Sequence, residues 1–139
     1  MAWLVETDIV LAAINPKDPK HREARQIINQ LTGIHLSPYT LIEIDLLIRS
    51  ENLKILDQEK FWQKLAQALQ YHEIRTLPPR PEYHKTAYRL REKHGLTYFD
   101  SLHAATAITE KLALISYDEK AYQNLPELKY KHPTTISKG

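Results

Sequence analysis

Cysteine is absent from this 139-residue chain, which excludes disulfides, a thiolate zinc site and a cysteine nucleophile. Only three glycines occur. They form neither a GxGxxG turn nor a Walker A loop, which excludes a nucleotide cradled on a glycine-rich loop. No apolar run approaches the ~20 residues of a membrane span, and Met1–Val5 has neither the basic start nor the long apolar stretch of a signal peptide. A cytoplasmic protein with no membrane association is therefore expected. Strong charge is missing too: a net charge of +2 lies below that of a dedicated nucleic-acid binder, yet leaves RNA contact open. Repeats, low-complexity tracts and interdomain linkers are also lacking, so 1–139 is expected to form one domain. What is present, 42% hydrophobic and 26% charged residues, matches ordinary globular proteins and supplies a core.

The pattern alternates short apolar runs with amphipathic segments. Trp3-Leu4-Val5, Ile34-His35-Leu36, Ile74–Leu77 and Leu112–Tyr117 read as strands, with a last small strand at Thr134-Thr135-Ile136. Helical spacing is predicted over Ile9–Ile14, Lys20–Leu31, Thr40–Ile48, Gln58–Tyr71, Glu82–His94, Asp100 to about Lys111, and Glu119–Asn124. Punctuation agrees: Asn15-Pro16-Lys17-Asp18-Pro19 is a turn, Asp57 a helix cap, Gly33 and Gly95 helix stops, and Thr97-Tyr98-Phe99-Asp100 has capping-box spacing. Strands alternating with helices imply an α/β fold, a three-layer α/β/α sandwich around a mostly parallel sheet. In such sheets ligands bind beyond the carboxyl ends of the strands.

Several acids follow buried elements. Glu6 and Asp8 come after the first apolar run, and either points a carboxylate at that end of the sheet, with Thr7 as a brace; capping the next helix is their ordinary alternative. Glu43 lies in an almost wholly apolar helix with no Lys or Arg three or four residues away, the alternative being a carboxylate beside a tyrosine hydroxyl. Asp45, by contrast, has Arg49 four residues on and reads as a surface pair. Asp100 opens a helix of small residues, where acids also serve as capping partners. Asp118 follows the fourth strand, with Ser116 able to orient it, and fits an N-cap equally well. Like charges about 4 Å apart repel by roughly 4 kcal/mol at an effective dielectric near 20. Acids of this kind, gathered together, point to a shared divalent cation. Lys17, Lys20, Arg22, Lys85 and Arg89 are candidate phosphate contacts, although such faces are commonly just solvated. His103 reads as a helix-face residue, and Tyr83, Tyr88 and Tyr98 as core aromatics that could otherwise stack on bases.

Four motifs in order resemble the PIN domain family, its VapC-type toxin branch above all: Glu6-Thr7-Asp8, Ser37-Pro-Tyr-Thr-Leu-Ile-Glu43, Leu96-Thr-Tyr-Phe-Asp100-Ser-Leu-His-Ala-Ala, and Leu114-Ile-Ser116-Tyr-Asp118. The resemblance covers essentially the whole chain. It implies a metal-dependent endoribonuclease, the toxin of a toxin–antitoxin pair, acting as a homodimer that a small antitoxin plugs at its acidic site. The resemblance implies metal ligands among Glu6, Asp8, Glu43, Asp100 and Asp118, with Thr7 and Ser116 in support. Oxygen-only donors favour Mg²⁺ or Mn²⁺. One residue departs from the pattern: Glu6 stands where the family has aspartate, and Asp8 where it has serine or asparagine. Two alternatives follow. One is a PIN-fold RNA-binding or scaffolding protein whose catalysis Glu6 impairs. The other is a phosphoryl-transfer α/β domain, given the acid-x-acid start.

Overall fold

The computed structural model describes residues 2–137. Its elements run β1 Trp3–Val5, α1 Thr7–Ile14, α2 His21–Gln30, β2 Ile34–Leu36, α3 Thr40–Arg49, α4 Gln58–Tyr71, β3 Arg75–Thr76, α5 Pro81–His94, α6 Tyr98–Glu110, β4 Ala113–Ile115, α7 Glu119–Tyr122, β5 Tyr130–Lys131 and α8 Pro133–Ser137. The strands form one sheet in the order β3-β2-β1-β4-β5, and all four ladders are parallel.

A parallel strand covered on both faces must be apolar at successive positions. Leu4 and Val5 are both fully buried, and they point to opposite layers. Leu4 and Leu114 join a core with Tyr83, Ala87 and Leu90 of α5 and Leu102 and Ala105 of α6. Val5, Ile115, Ile34 and Leu36 join a second core with α1, α2, α3 and Leu65 of α4. The expected three layers are therefore present. α6 lies close against its neighbours because Ser101 to Ala107 are all buried, and small side chains let backbones approach.

The caps agree with the sequence. Asp57 accepts from Lys60 N–H at 3.0 Å, Pro81 takes the first position of α5, and Gly95 ends it in the left-handed region at φ 69°. Three expectations need correction. Thr134, Thr135 and Ile136 lie in a helix, because Pro133 starts a turn whose free N–H groups are taken by His132: Nδ1 accepts from Thr134 N at 3.1 Å and the carbonyl from Thr135 N at 3.0 Å. The fifth strand is instead Tyr130–Lys131, in register with Leu114 and Ile115. The capping box does not close either: the Thr97 side chain caps no backbone N–H. Asp45 and Arg49 are both exposed and form no ion pair.

Strands two and three extend the sheet on one side of β1, and four and five on the other. The switch point thus lies beyond the carboxyl ends of β1 and β4, where an open α/β sheet leaves a crevice.

Candidate metal centre

At that crevice β1 delivers Glu6 and β4 delivers Ser116. Helix starts deliver the other acids: Asp8 in the first turn of α1, Glu43 in that of α3, Asp100 in that of α6, and Asp118 as the cap of α7. Partial positive charge at helix N-termini favours carboxylates in these positions. Glu43, expected inside its helix, is thus an N-terminal residue of it.

Two hydroxyls string three of the acids together. Ser116 Oγ lies 3.0 Å from Glu6 Oε2 and 2.9 Å from Asp8 Oδ2. Tyr122 OH lies 3.2 Å from Glu6 Oε2 and 3.3 Å from Asp100 Oδ1. Each hydroxyl has one proton to donate, so four hydroxyl–carboxylate contacts share two protons. Glu6, only 6% exposed, sits in the middle of the chain of contacts. Asp8 Oδ2 also accepts from Tyr117 N at 2.9 Å, where the β4 backbone has turned out of its ladder. Asp8 Oδ1 is buried and accepts nothing. None of the five acids pairs with Lys or Arg among the described residues.

The protonation behaviour follows. Burial, then the charges of Asp8, Glu43 and Asp100, push the Glu6 carboxyl well above its ordinary value. Burial likewise raises Asp8 and Asp100, against their hydrogen bonds, and Asp118 adds repulsion to both. Glu43 goes the other way. Its burial would raise it, but bonds from His103 and Thr7 outweigh that and lower it. Thr7 Oγ1 donates to Glu43 Oε1 at 2.5 Å, and His103 Nε2 lies 2.8 Å from the same oxygen.

His103 is not a helix-face residue but fully buried. Its ring nitrogen lies with carboxylate oxygens of Glu6 and Glu43, all within 4.8 Å of one another. Sequence reasoning gave His103 no role here and missed Tyr122. A histidine three residues after Asp100 in a run of alanines was the available signal for the first; nothing local marks the second. Asp118 is exposed at the rim, with Oδ1 accepting from Ala121 N at 3.2 Å. Of the basic candidates, Lys20 lies over the Tyr117 ring, its Nζ 4.0 Å from the ring centre. Lys17, Arg22 and Lys85 are exposed, and Arg89 is engaged with Glu127 at 3.0 Å. Tyr83 is core, whereas Tyr88 and Tyr98 are 60% and 56% exposed.

An oxygen-rich crevice with raised carboxyls, an unpartnered buried oxygen and no balancing base fits a hard divalent cation. A PIN domain family model matches residues 3–127. The chain belongs to the PIN domain family. PIN domains are generally nucleases, and membership sets aside the reading as another phosphoryl-transfer class. Solved structures share the fold. A toxin–antitoxin complex from Klebsiella pneumoniae is similar at TM-score 0.71 and 19% identity over 95% of this chain and 98% of that one. VapBC2 from Rickettsia felis, bound to a DNA fragment from its promoter, gives 0.68 and 23% over 95% and 98%. VapBC-1 from nontypeable Haemophilus influenzae gives 0.70 and 18% over 96% and 99%. No curated protein matches this PIN domain by sequence.

Proposed function

We propose that this PIN domain is a divalent-metal-dependent endoribonuclease, the toxin of a toxin–antitoxin pair, with residues 1–139 as one domain. The observation that carries the reading is the convergence of Glu6, Asp8, Glu43 and Asp100 on one crevice, with Asp8 Oδ1 buried and unpartnered. Those four side chains would hold Mg²⁺ or Mn²⁺, with Asp118 assisting from the rim. The ion supplies an activated water and stabilises charge on the phosphorus oxygens during an in-line displacement.

The protein's own residues prepare for this. Ser116 and Tyr122 hold Glu6, Asp8 and Asp100 together against their repulsion. Thr7 donates to Glu43 Oε1. Lys17 and Lys20, on the connection between α1 and α2, and Arg22, in the first turn of α2, are suited to guiding an RNA backbone, with Lys85 and Arg89 on α5 as further candidates. The likeness to toxin–antitoxin complexes supports a small antitoxin as partner and a homodimer. None of the described helices is long and apolar enough to cross a membrane, which agrees with a cytoplasmic setting.

Incubation of a panel of structured RNAs with the protein and Mn²⁺ tests the reading. Wild type is expected to cut at least one RNA, and Asp100→Asn to lower the rate by two orders of magnitude or more. A second reading, a catalytically impaired PIN protein, is favoured by Glu6 Oε2 already contacting two hydroxyls. Intact RNA with both proteins, together with retained RNA binding, selects that reading.

A further inference from the structure

His103 has no assigned part in the chemistry above, yet both of its ring nitrogens are held. It is fully buried in α6. Nδ1 lies 2.7 Å from Ser37 Oγ and Nε2 lies 2.8 Å from Glu43 Oε1. Phe99 stacks along the ring, with centroids 6.4 Å apart and planes at 27°. We propose that His103 is a positioning residue for Glu43. It donates its Nε2 proton to Glu43 Oε1 and so turns the carboxylate toward the cation, without binding the cation itself. The proposal rests on the metal-centre reading above.

The hydrogen-bond inventory places a proton on Nε2. An anionic carboxylate has no proton to give, so Nε2 must carry the one in the 2.8 Å contact. Ser37 Oγ, which accepts from Tyr39 N at 3.1 Å and lies 3.4 Å from Thr40 Oγ1, holds the other ring nitrogen at 2.7 Å. Thr7 donates to the same Glu43 oxygen at 2.5 Å, so two donors converge on Oε1, while Oε2 accepts no hydrogen bond from a described residue. Glu43 therefore keeps one oxygen anchored and the other available. The chain also links three elements: Ser37 follows β2, Glu43 opens α3, and His103 lies in α6. Outer partners that orient a ligating carboxylate are worth roughly 10–100-fold in metal affinity.

Wild type and three variants, His103→Leu, His103→Gln and Ser37→Ala, are titrated with Mn²⁺ and followed by electron paramagnetic resonance of the free ion. Circular dichroism in EDTA checks that each is folded. His103→Leu, which keeps the volume and removes both nitrogens, is expected to weaken Mn²⁺ binding about 10–100-fold. His103→Gln, whose amide can still donate, is expected to recover most of that loss, and Ser37→Ala to show a smaller loss. Two spectra make the assignment independent of affinity. Nitrogen-15 correlation spectra of the metal-free protein should show the proton of His103 on Nε2. Electron spin echo modulation of bound Mn²⁺ should show no directly coordinated nitrogen. Unchanged affinity in His103→Leu overturns the proposal, as does a proton on Nδ1 alone; a coordinated imidazole nitrogen makes His103 a ligand instead. If wild type binds no Mn²⁺, the metal-centre reading fails and the positioning role for a metal ligand falls with it, while a proton found on Nε2 still identifies the anchored Glu43.

Discussion

A carboxyl whose folded pKa lies above its unfolded value weakens the fold as the pH rises, because the folded chain then holds more protons than the unfolded one. Glu6, Asp8 and Asp100 all belong to this class, each chiefly through burial. From an unfolded value near 4.5 for Glu6, stability of the metal-free protein is expected to fall with pH until the raised groups have ionised. Glu43, lowered, works with the opposite sign: its contribution is present above its unfolded pKa and is lost as pH falls through the folded one. Urea unfolding in EDTA across the weakly acidic range should show this decline, and Glu6→Gln should flatten it. A steeper slope in Glu6→Gln would mean that Glu6 is not the group carrying the extra proton. Asp100→Asn is expected to raise the metal-free melting temperature by removing repulsion, and to abolish any rise on adding Mn²⁺. The acids could be singled out in the sequence because each stood beside an apolar element, and Glu43 in addition because no Lys or Arg lay within reach along its helix. Of their hydroxyl partners, Ser116 was singled out only as a support beside Asp118, and Tyr122 was not singled out. Ser116 and Tyr122 meet Glu6 across 110 and 116 residues of chain, and only the sheet order brings them together.

Helix ends were legible where chemistry is local. Asp57, Pro81 and Gly95 sit where caps and stops require, because a cap involves only the few residues around it. The fifth strand was not, since two residues carry no period and their pairing is fixed by β4 alone. Two helix ends make a matched test of backbone conformation. Gly95 closes α5 at φ 69°, and a Cβ placed there meets nothing within 4 Å. Gly95→Ala therefore bears only the conformational cost of the left-handed region, about 1 kcal/mol. Lys111 closes α6 in the same region at φ 57°, where a side chain is already under that strain. Lys111→Gly is expected to stabilise by up to about 1 kcal/mol. Equilibrium urea denaturation checks both, and the two shifts in midpoint should have opposite signs at unchanged slope.

On the scale of the whole molecule, a parallel sheet that reverses its build order at β1 opens one crevice, and three helix starts and one strand end converge on it with acids. Four of the five strands and the two helical layers followed from periodicity, whereas the convergence needed the order β3-β2-β1-β4-β5. Folding the metal-free chain therefore brings carboxylates together with hydroxyl protons as their chief compensation, so a cation bound at the proposed centre would add stability. A ligand that binds only the folded state stabilises it by RT ln(1 + [L]/Kd), about 2.7 kcal/mol at one hundred times Kd. For a chain of this length that raises the melting temperature by several degrees. Simple screening would also relieve repulsion, but it acts on solvent-exposed charges and is supplied by any salt. The two causes separate in one experiment. Mn²⁺ at millimolar concentration, added over a background of about 0.5 M KCl where the screening length is already near that of a contact, should still raise the melting temperature of wild type. The same addition should leave Asp100→Asn unmoved. A rise that KCl alone reproduces, or that Asp100→Asn shares in full, would show relaxation of surface charge in place of a bound ion.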